Sequence, residues 1–198
     1  DMCHYELKKK LGVVGQRIQM ELKGYQCLPI EEIKSTKKEI QVSRSFGKPI
    51  TKLEDFKQAL AIYSIKASEK LRIQNLQTSS ITVFARTSHY SNSVYQKSSH
   101  KKLIEATSNT NIILKIVLEL SKDIYHPEYK FAKAGVLMQD LTQSNYFQRS
   151  LRNYTSIEDL KKGEVLIKTI DSINRRFKTG AITWGITKRS QEWKMNKN

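Results

Sequence analysis

Between Lys38 and Leu141 the spacing of apolar residues switches from period two to period 3.6 and back, twice over. That order restricts the fold more than any other feature. In Lys38 to Ser45, Ile40 and Val42 alternate with Gln41 and Ser43, the pattern of a half-buried strand. Gly47 and Pro49 are expected to break the strand, and Thr51 to cap the next helix, with Glu54 completing a capping box. Leu53, Phe56, Leu60, Tyr63, Ala67 and Leu71 then fall on one helical face. Ser79 to Thr87 is a second strand, with Ile81, Val83 and Ala85 facing one way and Thr82, Phe84 and Arg86 the other. After a polar loop, His89 to Ser93, the stretch from Val94 to Glu105 is extended and sets Ser98, His100 and Lys102 on one face. Ser108 or Asn109 caps a second helix that turns Ile112, Ile113, Ile116, Val117, Leu120 and Ile124 inward, and His126-Pro127 stops it. Lys130 to Leu141 is the last strand, with Ala132, Ala134, Val136 and Met138 on one face and Lys133 on the other.

Strand, helix, strand, strand, helix, strand is a split βαβ arrangement. It predicts an α+β fold: a four-stranded antiparallel sheet with two helices on one face. One helix precedes it and a small helix-strand extension follows. The second face of the sheet stays open, and its residues are Ser, Thr, Lys, Arg and His rather than aliphatic. Thirty-five Lys and Arg against nineteen Asp and Glu leave the chain at +16, a balance that points to a polyanion, nucleic acid first. An inert basic surface is the bland reading, since exposed sheet faces commonly carry Lys and Thr. No apolar run is long enough to span a bilayer, and no helix pairs a basic face with a broad apolar one.

The flanks are less regular. Leu7, Leu11, Val14, Ile18 and Leu22 mark an amphipathic helix that Gly24 ends. A polar stretch then leads into the first strand. Beyond Leu141 a third helix runs from about Ser156 or Lys162 to Phe177, burying Leu166, Ile170, Ile173 and Phe177, and Gly180 ends it. Ala181 to Thr187 is expected as a short strand, with Trp193 and Met195 near the last residue. Cys3 and Cys27 form neither a disulfide framework nor a metal motif and fit a reducing cytosol. No secretory signal opens the chain, and a first residue of Asp suggests a piece of something longer. No phosphate loop, nucleophile elbow, metalloprotease helix or cluster of carboxylates is present, and His4, His89, His100 and His126 share no ligand spacing. The chain by itself therefore reads as a binding unit rather than a catalyst.

Several stretches resemble a known family. Ser43-Arg44-Ser45-Phe46-Gly47-Lys48-Pro49-Ile50-Thr51, with Lys66-Ala67-Ser68-Glu69-Lys70-Leu71-Arg72, is similar to the little-finger domain of UmuC-type Y-family DNA polymerases. Thr82 to Thr87 resembles its second strand and Tyr129 to Met138 its last. Leu11 to Arg17, Glu21 to Gly24 and Cys27 to Pro29 resemble the helix leaving the thumb. Ile170 to Phe177, with Gly180 and Trp193-Lys194-Met195, resembles the small C-terminal region of the UmuC branch.

The resemblance implies five segments: a thumb helix over 1–28, a linker over 29–37, a little finger over 38–142, a loop over 143–155, and a truncated UmuC-type region over 156–198. It implies the DNA-gripping part of a lesion-bypass polymerase of the SOS response, cytoplasmic, acting on damaged template-primer. The catalytic palm and its Mg would lie upstream. Implied phosphate contacts are Ser43, Arg44 and Ser45; Arg86 and Thr87; Ser98, His100 and Lys102; and Lys130 and Lys133. Phe46 is expected in the core. Gln143, Tyr146 and Phe147 are implied to dock on a sliding clamp, with Gln148 to Leu151 as a competing frame and a plain loop as the bland reading. A UmuD-type subunit and RecA are further implied partners. Two other readings stand beside this one: a self-standing nucleic-acid-binding module, and an RNA-binding domain, for which Phe84 is the one stacking aromatic on the open face.

Overall fold

The computed structural model describes residues 4–28, 37–91, 93–144, 157–177, 180–187 and 192–195. The chain divides into two compact units, Asp1–Thr36 and Lys37–Asn198. In the first, α1 spans His4–Leu22 but is two helical segments joined at Gly12, whose φ of 71° and ψ of −170° leave the helical path. A glycine tolerates that geometry where a side chain would be strained. The helix ends as its sequence predicts. Gly24 adopts φ 89°, and the N–H groups of Gly24 and Tyr25 donate to the carbonyls of Glu21 and Met20. This is the paired closure of a glycine C-cap.

The second unit holds the sheet. Its strands are β1 (Ile40–Ile50), β2 (Leu76–Thr87), β3 (Gln96–Thr107) and β4 (Phe131–Gln143), in the spatial order β1-β4-β2-β3 with every pair antiparallel. Helix α2 (Leu53–Ile73) carries the chain from β1 to β2, and α3 (Thr110–Ile124) carries it from β3 to β4. Each crossover skips one strand, and both helices pack on the same face of the sheet. The core lies between the layers. Ile81, Val83, Ala85, Ala134, Val136 and Met138 come from the central strands, and they meet Phe56, Leu60, Tyr63 and Leu71 of α2 and Ile113, Val117 and Ile124 of α3. The buried serine hydroxyls of α2 are satisfied within the helix, Ser64 donating to the Ala61 carbonyl and Ser68 to that of Ser64.

Several expectations need correction. Gly47 and Pro49 do not end β1, which continues to Ile50. β1 is an edge strand, where a missing N–H costs no ladder bond, and its pairing with β4 becomes irregular between Ser45 and Ile50. The capping box at Thr51 does not form. Helix α2 starts after Lys52, which makes no side-chain cap, while the Thr51 carbonyl accepts a bond of 2.6 Å from the Tyr125 hydroxyl. Asn109 is the cap of α3, accepting from the Asn111 N–H at 2.9 Å, and Ile112 is 41% exposed rather than inward. In β4, Phe131 takes the core position expected of Ala132. Lys133 pairs with Arg86 and Phe131 with Thr87, so Ala132 is the extra residue of a bulge that rotates Phe131 inward.

Helix α4 spans Ile157–Arg176. Leu166 and Phe177, expected inside, are exposed, and Ile167 is buried in their place. The helix docks by a narrow stripe fixed by one ion pair. Arg72 of α2 grips Asp171 with two bonds, 2.6 and 2.8 Å, and donates also to the Ser108 carbonyl and the Thr110 hydroxyl, each at 2.9 Å. Residues 181–187 form turns rather than a strand. The Asn174 amide exchanges bonds with the Ile182 backbone, and the Trp184 indole donates to Asn111 at 2.7 Å. Trp193 then returns to the core, edge-on to Phe46 at 5.5 Å and to Tyr63 at 6.4 Å.

Candidate nucleic-acid interface

The alternation that points Ile81, Val83 and Ala85 at the helices points Ser80, Thr82, Phe84 and Arg86 away from them. The ladder registers align these with their neighbours in rows across the open face. One row is Ser45, Lys133, Arg86 and Gln96. The next is Ser43, Gly135, Phe84 and Ser98, followed by Gln41, Leu137, Thr82 and His100, and then by Gln139, Ser80 and Lys102. None of these positions is acidic. The acids of this unit sit largely on the helix layer, where Glu119 and Asp123 of α3 take up Lys101 and Ser99 from the helix side of β3. The Lys101 ammonium, bonded at 2.8 Å, holds the Glu119 carboxyl below its ordinary range. Among the described residues, the rows of the open side thus carry positive charge and no acid, while the helix side of β3 holds the Lys101–Glu119 pair.

The middle of the face is kept flat by Gly135. A Cβ there would lie 2.4 Å from the Ser43 Cβ and 2.5 Å from the Phe84 Cζ. The Phe84 ring therefore lies down over the glycine, filling the gap as a ring does for a glycine in a sheet. Around it the hydroxyls are ordered. Thr82 donates to Gln139 at 2.9 Å, and the Gln41 amide donates to Ser43 at 3.1 Å. Arg86 stands half-exposed with its guanidinium 2.9 Å from His89 Nε2, which accepts from it.

The sequence-predicted contacts fall in four places. Ser43, Ser45, Arg86, Ser98, His100, Lys102 and Lys133 share the open face. Arg44 has the opposite parity and pairs with Ala134. It is an exposed residue on the helix side of the edge strand, where its charge acts on Tyr63. Lys130 is exposed just before β4, outside the rows. Thr87 is a correction: it is buried, and its hydroxyl is used inside the hairpin, accepting from the Tyr95 N–H at 2.9 Å and facing the Ser93 and Tyr95 carbonyls. It closes the β2-β3 turn and has no free group for a phosphate. Of the clamp-docking residues, Gln143 ends β4, exposed; Tyr146 and Phe147 lie outside the described residues, as does the competing frame. Sequence reasoning missed Gln41, Leu137, Gln139 and the Gly135–Phe84 pair. A glycine inside a strand was the available signal for a close approach. Among the described residues no group of three or more His, Cys, Asp and Glu is placed to hold a metal ion, and no helix is long and apolar enough to cross a membrane.

Residues 37–151, which include the whole sheet, α2 and α3, match the impB/mucB/samB family C-terminal domain. This chain belongs to the impB/mucB/samB family. A domain of unknown function matches residues 164–198, which include most of α4 and the Trp193 segment. Protein MucB of Escherichia coli is 34% identical over 87% of this chain, and protein ImpB of Salmonella typhimurium 31% identical over 96%. Protein UmuC of Salmonella typhimurium strain LT2 is 28% identical over 96%. The chain spans 40 to 45% of the length of these curated relatives and corresponds to the C-terminal part of UmuC-type proteins. A solved insertion ternary complex of Dbh DNA polymerase aligns with 70% of this chain and 38% of that one, at a TM-score of 0.43 and 15% identity.

Proposed function

We propose that this chain is the DNA-gripping C-terminal portion of a lesion-bypass polymerase of the UmuC type. Its open sheet face holds the phosphates of a template-primer duplex. The observation that carries this reading is the acid-free set of rows in which Arg86, Lys102 and Lys133 stand with His100 and several hydroxyls. Such groups bind phosphate and position the protein without reading bases, which suits an enzyme that must move over any template. Phe84, the one aromatic in the rows, is occupied by Gly135, so stacking of single-stranded bases finds little support.

Fluorescence anisotropy with primed duplexes of unrelated sequence tests the reading. Affinities should agree within a few-fold across sequences. They should fall by about a hundredfold or more when Arg86→Ala, Lys102→Ala and Lys133→Ala are combined in one variant. Unchanged binding in that variant, with its fold intact by circular dichroism, rejects the face as the grip.

A further inference from the structure

The Trp193 segment lies against the half of β1 that carries the expected strand breakers. The Gly47 N–H donates to the Trp193 carbonyl at 2.9 Å, so the segment occupies the free edge of β1. The Trp193 ring goes to the helix side, against Phe46 and Tyr63. Gly47 follows Phe46 in the strand, and alternation aims its Cβ position to the opposite, open side. That position is taken by the backbone of the segment, Met195 Cα at 3.0 Å and the Lys194 carbonyl oxygen at 3.1 Å. The segment therefore wraps the sheet edge. It is anchored by an indole on the helix side and emerges at the rim of the open face, where Lys194 and Met195 are exposed. Gly47 is the residue that lets the two backbones meet.

We infer that this segment extends the duplex-binding face, with Lys194 as a further phosphate contact beside Ser45. The stretch assigned to a domain of unknown function thereby gains a role: α4 and its Arg72–Asp171 pair tether it, Trp193 anchors it, and Lys194 touches DNA. The inference rests on the proposed grip and adds an edge to it. The partner is the phosphate backbone of duplex DNA. The cation beside it is lysine, a point charge that suits a phosphate of any sequence.

The test compares Lys194→Ala with Lys133→Ala in the full chain, by the salt dependence of binding to a primed duplex. Removing one phosphate-bound cation should make the log–log slope shallower by about 0.9 and weaken binding about tenfold at roughly 0.1 M salt. Lys194→Arg should keep both. Trp193→Ala should reproduce the Lys194→Ala effect, and the two together should weaken binding no more than either alone. Because Trp193→Ala also empties part of the core, Gly47→Ala serves as a second way to displace the segment, with a matching effect expected. A wild-type slope in Lys194→Ala, with a reduced slope in Lys133→Ala, overturns the inference and leaves the grip standing. Wild-type slopes in both overturn the grip and the inference with it.

Discussion

Replacing Gly135 by Ala should be among the most damaging one-methyl changes in this sheet. The added Cβ would sit 2.4 Å from the Ser43 Cβ on one side and 2.5 and 2.8 Å from Phe84 Cζ and Cε1 on the other. Carbon atoms rest at about 3.5–4.0 Å, so each neighbour has to retreat by roughly 1 Å or more. Phe84 has room, since its ring faces the open side and can lift. Ser43 has less, because its Cβ is fixed to the β1 backbone, which is paired to β4 at this residue. Overpacking of this kind costs about 1–3 kcal/mol, and two opposed clashes place this case toward the upper end. Urea unfolding followed by circular dichroism measures it directly. A cycle with Phe84→Ala separates the two neighbours: the ring's share appears as a coupling on the order of 1 kcal/mol, and the Ser43 share remains. A Gly135→Ala variant within about 0.5 kcal/mol of the parent, with an unchanged denaturant slope, would show that the glycine is not held by contact on both sides.

Three further outcomes are expected. Arg72→Ala removes four hydrogen bonds at once and leaves the partly buried Asp171 without its partner, which should cost about 3 kcal/mol by the same unfolding assay. An Arg72→Ala, Asp171→Asn pair should recover part of that stability. Tyr63 ionises near 10 in an unfolded chain, but burial raises it to about 12 in the folded protein, against the lowering effect of Arg44. Its contribution to stability is therefore whole below about pH 10 and is lost as the pH rises through about 12. An absorbance titration of tyrosinate should show this late component, and Tyr63→Phe should abolish it.

The sheet and its two helices were legible because each element shows one clean period. Ile81, Val83 and Ala85 against Thr82, Phe84 and Arg86 is enough to assign both faces of β2. Ser98, His100 and Lys102 were legible by the same rule. The misses arose where one residue changes the phase. The bulge at Ala132 turns Phe131 inward, and nothing in the local pattern marks it. Arg44 adjoins Ser43 and Ser45 in the chain, whereas alternation alone sets it on the other face. Thr87 looks like its neighbours in sequence, and only the fold shows its hydroxyl committed to the Tyr95 backbone. The break expected at Gly47 and Pro49 follows the usual meaning of those residues. Their use here depends on β1 being an edge and on the Trp193 segment lying over Gly47, a contact between residues far apart in the chain.

The most direct test is the slope of log affinity against log salt for a primed duplex. It should be measured for the parent chain and for the variant combining Arg86→Ala, Lys102→Ala and Lys133→Ala. Removing three phosphate-bound cations should make the slope shallower by about 2.7, whatever the duplex sequence. A parent slope near zero, or a variant slope equal to the parent's, would contradict the claim that this face grips DNA through its phosphates.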